Sequence, residues 1–299
     1  MKDRILITGA SGMLGTDLCL NFLKKYDVCG ADLAGPKIKE RCPAQVKFYK
    51  LDITDRLGTI KLINDIKPAI VVHAAAYTDV DGCEKDKSAA FNVNADGAGN
   101  VALGCKKINA TLFYISTDFV FDGKKTEPYT EDDDTNPINI YGESKLAGER
   151  LVVQNAGSHV IVRTSWLFGK CGKNFVDTII GLAKTRKEIK VVDDQIGSPT
   201  YTADLAKAIF KLAEITMAKP VKDIYHISNN GKVSWYEYTR RILEYAHIAD
   251  VKVTPITSEE LDRPAKRPKM SALNNSRYQK TTHDKMRDYN EALQEYLIK

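Results

Sequence analysis

Arg4-Ile-Leu-Ile-Thr8-Gly9-Ala-Ser-Gly12-Met-Leu-Gly15 decides the architecture of this chain. Its first five residues are a short apolar run rich in β-branched side chains, which predicts a buried strand. The run leads straight into three glycines at G-x-x-G-x-x-G spacing, after which Leu14, Leu18 and Phe22 recur at helical intervals. Strand, glycine turn and helix together present backbone N–H groups and a helix N-terminus to a pyrophosphate. An ordinary tight turn needs no third glycine.

Outward from this stretch the same alternation continues. A second strand, Val28 to Asp32, ends in a carboxylate about where a dinucleotide site holds the ribose. Asp32 either accepts from those hydroxyls or merely opens the next loop. A third strand, Val46 to Leu51, ends at Asp52-Ile53, a wall for an adenine pocket. Asp55 to Asp65 reads as a helix and Ala69 to His73 as a buried strand. His73 reads as a satisfied core histidine. Three alanines follow, Ala74, Ala75 and Ala76, which allow close backbone approach by a flat ligand or simply pack against a helix. Thr78 and Val80 come next. A long helix is expected within Ala89 to Asn109, with Asn94 inside it.

Thr111 to Ser116 is a strand that delivers Thr117 and Asp118 at its exit, where doubly wound sheets place ligand contacts. The acidic stretch from Gly123 to Pro137 reads as a solvated loop or a flap over a site. Tyr141 and Lys145 then fall one helical turn apart. An ammonium beside a phenol favours the phenolate, so the pair could pass a proton to a developing alkoxide. The spacing alone recurs by chance; its setting gives it weight. His159 to Arg163 is a further strand, leading to Trp166. Later expectations are a helix from Asn174, a strand Ile189 to Val192, and a helix capped by Thr202. A strand at Asp223 to His226, a capping box at Ser234 and Glu237, and a largely helical C-terminus complete them.

Strands alternating with helices imply an α/β chain with a doubly wound parallel sheet and a smaller C-terminal α/β domain. The division expected is a dinucleotide-binding part at 1–165, with 202–225 returning to it, and a substrate-binding part at 166–201 and 226–299. Length supports this: 299 residues can bury a sizeable core. A hydrophobic share of 43% and a charged share of 28% are ordinary for a globular protein. The net charge of +5 is spread along the chain, with no interleaving of basic and aromatic residues, so no nucleic-acid partner is expected. No membrane segment or signal peptide is expected either. The six cysteines form no Cys-x-x-Cys pair, which suggests a reducing, cytoplasmic compartment and no zinc site.

Six stretches together resemble the dTDP-4-dehydrorhamnose reductase family of extended short-chain dehydrogenase/reductases. They are Ala74 to Asp81, Ser116 to Gly123, Tyr141 to Glu149, Val162 to Trp166, Asp194 to Tyr201 and Arg267 to Leu273, behind the Thr8–Gly15 turn. The resemblance implies reduction of the 4-keto group of dTDP-4-dehydro-6-deoxy-L-mannose to dTDP-L-rhamnose. Gly9, Gly12 and Gly15, with Met13 and Leu14, would hold the cofactor pyrophosphate. Asp32, Asp52, Ile53 and Ala74 to Ala76, with Thr78, would line its adenosine side. Tyr141 would protonate the substrate oxygen, Lys145 would bind the nicotinamide ribose, and Thr117 would hydrogen-bond the carbonyl. Val80, Asp118, Phe119 and Trp166 would border the sugar; Gln195, Thr200 and Arg267 would face the diphosphate.

NADH and NADPH are both expected, with NADH preferred because a carboxylate at Asp32 repels a 2′-phosphate; Lys37, Lys39 and Arg41 are the bases nearest to it in sequence. Phe119 stands where the family usually has tyrosine, and Gly82-Cys83 replaces a charged residue followed by alanine. Some members hold magnesium through clustered glutamates at a dimer interface. Asp17 is the only matching carboxylate, so no metal is carried over, and a homodimer is left open. Two rivals remain: a reductase of another nucleotide-linked 4-keto-6-deoxy sugar, and a non-catalytic subunit resembling the methionine adenosyltransferase β subunit.

Overall fold

The computed structural model describes residues 2–34, 45–217 and 219–298. Lys37, Lys39, Arg41 and Cys42 lie outside the described residues. In chain order the first elements are β1 (Arg4–Thr8), α1 (Met13–Phe22), β2 (Asp27–Asp32), β3 (Lys47–Lys50), α2 (Arg56–Ile66) and β4 (Ile70–His73). Then come α3 (Val80–Lys85), α4 (Lys87–Phe91), α5 (Gly97–Ile108), β5 (Thr111–Thr117), α6 (Ile140–Asn155), β6 (Ser158–Thr164), β7 (Leu167–Phe168) and α7 (Phe175–Ala183). β8 (Glu188–Val192), β9 (Ile196–Gly197), β10 (Thr200–Tyr201), α8 (Thr202–Thr216), β11 (Lys222–His226) and β12 (Val233–Ser234) follow. The remainder is α9 (Trp235–Tyr245), β13 (Lys252–Ile256), α10 (Ser258–Leu261), α11 (Ser276–Thr282) and α12 (Tyr289–Leu297).

Seven parallel strands form the main sheet in the order β11-β6-β5-β4-β1-β2-β3. The order reverses between β1 and β4, the switch point at which open α/β sheets bind ligands. Alternation along each strand fills both faces. Ile5 and Ile7 join Leu18, Phe22, Leu205 and Ile209 on one side, while Leu6 joins Ile63, Val101, Leu112 and Val152 on the other. Tyr278 and Met286 join the first of these cores. A separate core gathers Phe168, Val176, Ile189, Tyr238, Ile242 and Leu293 beyond the sheet.

Several sequence expectations are corrected. The helix expected within Ala89 to Asn109 is broken by a π turn at Asn92–Asp96. Asn94 lies in that turn because its amide is drawn elsewhere. Its oxygen accepts from Tyr77 N at 2.8 Å, and its nitrogen donates to Tyr77 O and to Ser144 Oγ, each at 3.0 Å. Thr202 does not cap α8; Tyr201 is the N-cap, and the Thr202 hydroxyl donates to Asp17 Oδ2 at 2.6 Å. Ser234 does cap α9, but Glu237 pairs with Arg240 instead of turning back; the full capping box is at Thr257 and Glu260. β13, paired parallel to β8, was not legible. The Gly123–Pro137 stretch is a solvated loop, exposed at Lys124, Glu127, Asp132 and Asp134, and none of it lines the cleft, but it is pinned at one point. Tyr129 is buried, stacks on Phe121 at 4.2 Å and donates its N–H to Ala272 O.

Two buried polar contacts fasten the sheet, one between two of its strands and one between a strand and a helix. Thr8 Oγ1 and His73 Nδ1 lie 2.6 Å apart across the switch point, at register partners of β1 and β4. Behind α6, Arg163 donates from Nε and Nη2 to the two Glu149 oxygens at 2.9 and 2.8 Å, with both side chains at most 5% exposed. Ser116 donates to the same carboxylate at 2.5 Å.

Removing one partner of such a pair leaves an uncompensated buried charge, so Arg163→Met is expected to cost about 3–5 kcal/mol in chemical denaturation. A loss under 1 kcal/mol would contradict that account. Burial, and then the charge of Lys145, push the His73 imidazole down to about 3. The unfolded chain therefore takes up a proton between its ordinary pKa of 6.5 and about 3 that the folded chain refuses. The sign makes this contribution complete above pH 6.5 and progressively lost as pH falls through that window. Between pH 6 and 5, His73→Gln is expected to flatten the dependence of unfolding free energy on pH by about 1 kcal/mol per unit. Parallel wild-type and variant slopes would refute it.

Candidate active site

A cleft of ≈ 770 Å³ opens at the carboxyl ends of the strands, over the switch point. Its first wall is the glycine turn. Gly9 has φ +68, and a Cβ there would sit 2.6 Å from Ala75 N; one on Gly15 would sit 2.0 Å from Gly9 O. Only hydrogen fits at either place. The N-cap of α1, Gly12, offers no side-chain cap, and the first turn carries no acid, so the helix N–H groups remain available to an anion. This cradle suits a dinucleotide pyrophosphate.

Asp32, Asp52, Ile53, Thr78 and the three alanines line the same cleft, as do Met13 and Leu14. Asp32 is already held: Ser11 N donates to Oδ2 at 3.0 Å and Ala34 N to Oδ1 at 3.2 Å. Its carboxylate thus holds the backbone of the glycine turn and of the residues that follow β2. Asp52 Oδ1 accepts from the Thr54 backbone and hydroxyl, at 2.9 and 2.7 Å.

Thr117, Tyr141 and Lys145 meet in the other half of the cleft. Asn139 caps α6 by accepting from Gly142 N at 2.8 Å, which starts the helix one residue before Tyr141. Lys145 is 2% exposed; its ammonium donates to Ile115 O at 2.7 Å and lies 4.2 Å from the Tyr114 ring centre. Burial, opposed by the Glu149 carboxylate, pulls Lys145 down to about 7. The expectation that Lys145 depresses the Tyr141 phenol is not met in the free protein. Burial pushes that phenol up, and the hydrogen bond with Thr117 opposes the rise. The nearby charge of Asp118 adds to the rise.

Val80, Asp118, Phe119 and Trp166 also line the cleft. Phe119 meets Tyr141 edge-to-face at 5.8 Å. Asp118 accepts from Thr117 Oγ1 at 3.0 Å, and burial raises its carboxyl to about 7. Trp166 carries φ 46, a left-handed conformation rare for a bulky side chain and costing roughly 1–3 kcal/mol.

Gln195, Thr200 and Arg267 are not among the residues lining the cleft. Gln195 donates to Ser258 Oγ at 2.8 Å, and Thr200 is fully buried. Arg267 grips Asp81 with both terminal nitrogens, at 3.0 and 2.9 Å, while Arg263 and Ala265 N donate to the same carboxylate. Sequence reasoning missed Trp235 and the loop of Cys171, Gly172 and Lys173, all of which line the cleft. The capping signal at Ser234 located Trp235 on a helix but said nothing of its aim.

The family described as RmlD substrate binding domain matches residues 2–299. The spore coat polysaccharide biosynthesis protein SpsK of Bacillus subtilis is 39% identical over 98% of this chain and 96% of its own length. A dTDP-4-dehydrorhamnose reductase of Aggregatibacter actinomycetemcomitans is 37% identical, covering 97% of each chain. The crystal structure of a dTDP-4-dehydrorhamnose reductase from Bacillus anthracis in complex with NADP superposes with a TM-score of 0.89. It is 42% identical, covering 100% of this chain and 99% of that one. With the glycine cradle, the Tyr-Lys helix and the sheet order already in place, these matches show that the chain belongs to the RmlD substrate binding domain family.

Proposed function

We propose that this chain is an NAD(P)H-dependent reductase that converts the 4-keto group of dTDP-4-dehydro-6-deoxy-L-mannose to the alcohol of dTDP-L-rhamnose. The observation that carries the reading is the meeting of Thr117, Tyr141 and Lys145 in one cleft with the glycine cradle. Relatives bearing the reductase name over nearly the whole chain support it.

When bound, a reduced nicotinamide supplies hydride to a carbonyl carbon. The chain's own groups handle the oxygen. Tyr141, kept protonated by burial, gives its proton to the oxygen as negative charge develops there. The Thr117 hydroxyl, which now donates to Asp118, turns its hydrogen bond to that oxygen. Lys145 holds the ribose hydroxyls, and a charged ammonium beside Tyr141 stabilises the phenolate left behind. Val80, Asp118, Phe119 and Trp166 border the sugar. Arg267, with Gln195 and Thr200, serves the diphosphate end; to do so Arg267 exchanges Asp81 for phosphate oxygens, which match its planar fork equally well.

The parts divide as dinucleotide-binding (1–165, with 202–225) and substrate-binding (166–201 and 226–299). The pairing of β11 with β6 and the separate core around Phe168 and Tyr238 support that division. We place the protein in a reducing, cytoplasmic compartment. In its support, no disulfide joins the described cysteines.

Tyr141→Phe is expected to lower kcat at least ~100-fold while leaving the cofactor dissociation constant nearly unchanged. Near wild-type turnover would remove Tyr141 from the proton path. For the cofactor, Asp32 favours NADH over NADPH, with both used. Asp32→Ala is expected to lower the NADH/NADPH ratio of kcat/KM by roughly tenfold, the worth of ~1.4 kcal/mol. An unchanged ratio would restrict Asp32 to holding its own turn.

A further inference from the structure

The chain has two tryptophans, and they lie on each other. The rings of Trp166 and Trp235 are 3.4 Å apart between centroids and 3° from parallel. Aromatic pairs ordinarily prefer an offset or an edge-to-face approach with centroids well beyond that. The overlap is imposed from both sides of the chain. A Cβ on Gly197 would fall 2.3 to 2.6 Å from three atoms of the Trp166 ring, so the glycine backbone is pressed against the indole. The Trp166 carbonyl accepts from Thr200 N at 3.1 Å, and the neighbouring Ser165 hydroxyl donates to Ser198 O at 2.6 Å. Phe175 backs Trp235 at 4.3 Å. Trp166, at the centre of these fastenings, has a left-handed backbone at φ 46, and both indoles line the cleft that holds Tyr141. A strained, over-determined side chain at a cleft is where function is sought.

We propose that Trp235 and Gly197 are positioning residues: they clamp Trp166 as a rigid wall against the pyranose ring of the nucleotide-sugar substrate and so set its carbonyl against Tyr141. This rests on the reductase reading above. A displacement of the order of 1 Å in bound substrate is enough to depress the chemical step strongly.

Because no other tryptophan exists, an indole exciton couplet in circular dichroism can come only from this pair. Trp235→Ala is expected to abolish the couplet and lower kcat/KM for the nucleotide sugar at least about tenfold. KM for the cofactor should stay within about twofold of wild type. Trp235→Phe, which keeps a ring against Trp166, should recover most of the sugar kcat/KM. Loss of thermal stability with equal effects on sugar and cofactor, or no kinetic change despite loss of the couplet, would overturn the clamp. Should Trp235→Ala not fold, the wild type decides: titration with the dTDP-sugar must perturb the couplet and the tryptophan fluorescence, and an unresponsive pair overturns the proposal. A wild type that reduces no nucleotide sugar defeats the reductase reading instead. The clamp is then judged by the couplet, whose absence from the wild type or survival in Trp235→Ala overturns it.

Discussion

The buried ion pair of Glu149 with Arg163 fixes most of what surrounds it. Two charges leave water to make it, and their mutual attraction offsets that cost only because the geometry is bidentate and Ser116 takes up further acceptor capacity. Glu149 lies one turn beyond Lys145, which lies one turn beyond Tyr141, so all three share a helix face. Locking Glu149 to β6 and to the residue before Thr117 therefore sets the depth and rotation of the whole face. The same arginine stands three residues before Trp166. One interaction thus registers the helix of Tyr141 and Lys145, the strand that delivers Thr117 and the turn at Trp166.

The ion pairs at the rim are of another kind. Asp81 is 23% exposed and holds Arg267, Arg263 and the Ala265 backbone together. Arg267 and Asp81 keep 15% and 23% of their side chains exposed, against at most 5% in the buried pair, so water screens the rim pair more. The core pair is thus closed to solvent, and the rim pair is open to it in part.

The sheet and the cofactor half of the cleft were legible in the sequence because their determinants are local. Apolar period, glycine spacing and the carboxylate ending β2 each act within a few residues of themselves. The residues expected along that wall, from Gly9 to Asp32 and Asp52, therefore line one cleft. What escaped depends on distant partners. Asn94 lies in a π turn bonded to Tyr77 and Ser144, and Trp235 lines the cleft stacked on Trp166, whose backbone is left-handed. The raised Tyr141 phenol is likewise set by surroundings that spacing does not show. Spacing shows a lysine one turn away but not the carbonyl of Ile115 that claims it, nor the desolvation of the site.

The position of β11 governs how the chain can assemble. It covers the β6 edge of the sheet with residues 222–226, while α8, at 202–216, packs its apolar face against α1. During synthesis, the first two-thirds of the chain emerges with the β6 edge unpaired and the Leu18–Phe22 face uncovered. Strand pairing across such sequence distances is slow, and exposed edges invite association between nascent chains. The last third therefore completes the first, and truncation before His226 leaves the cofactor half with an open edge rather than a self-sufficient fold.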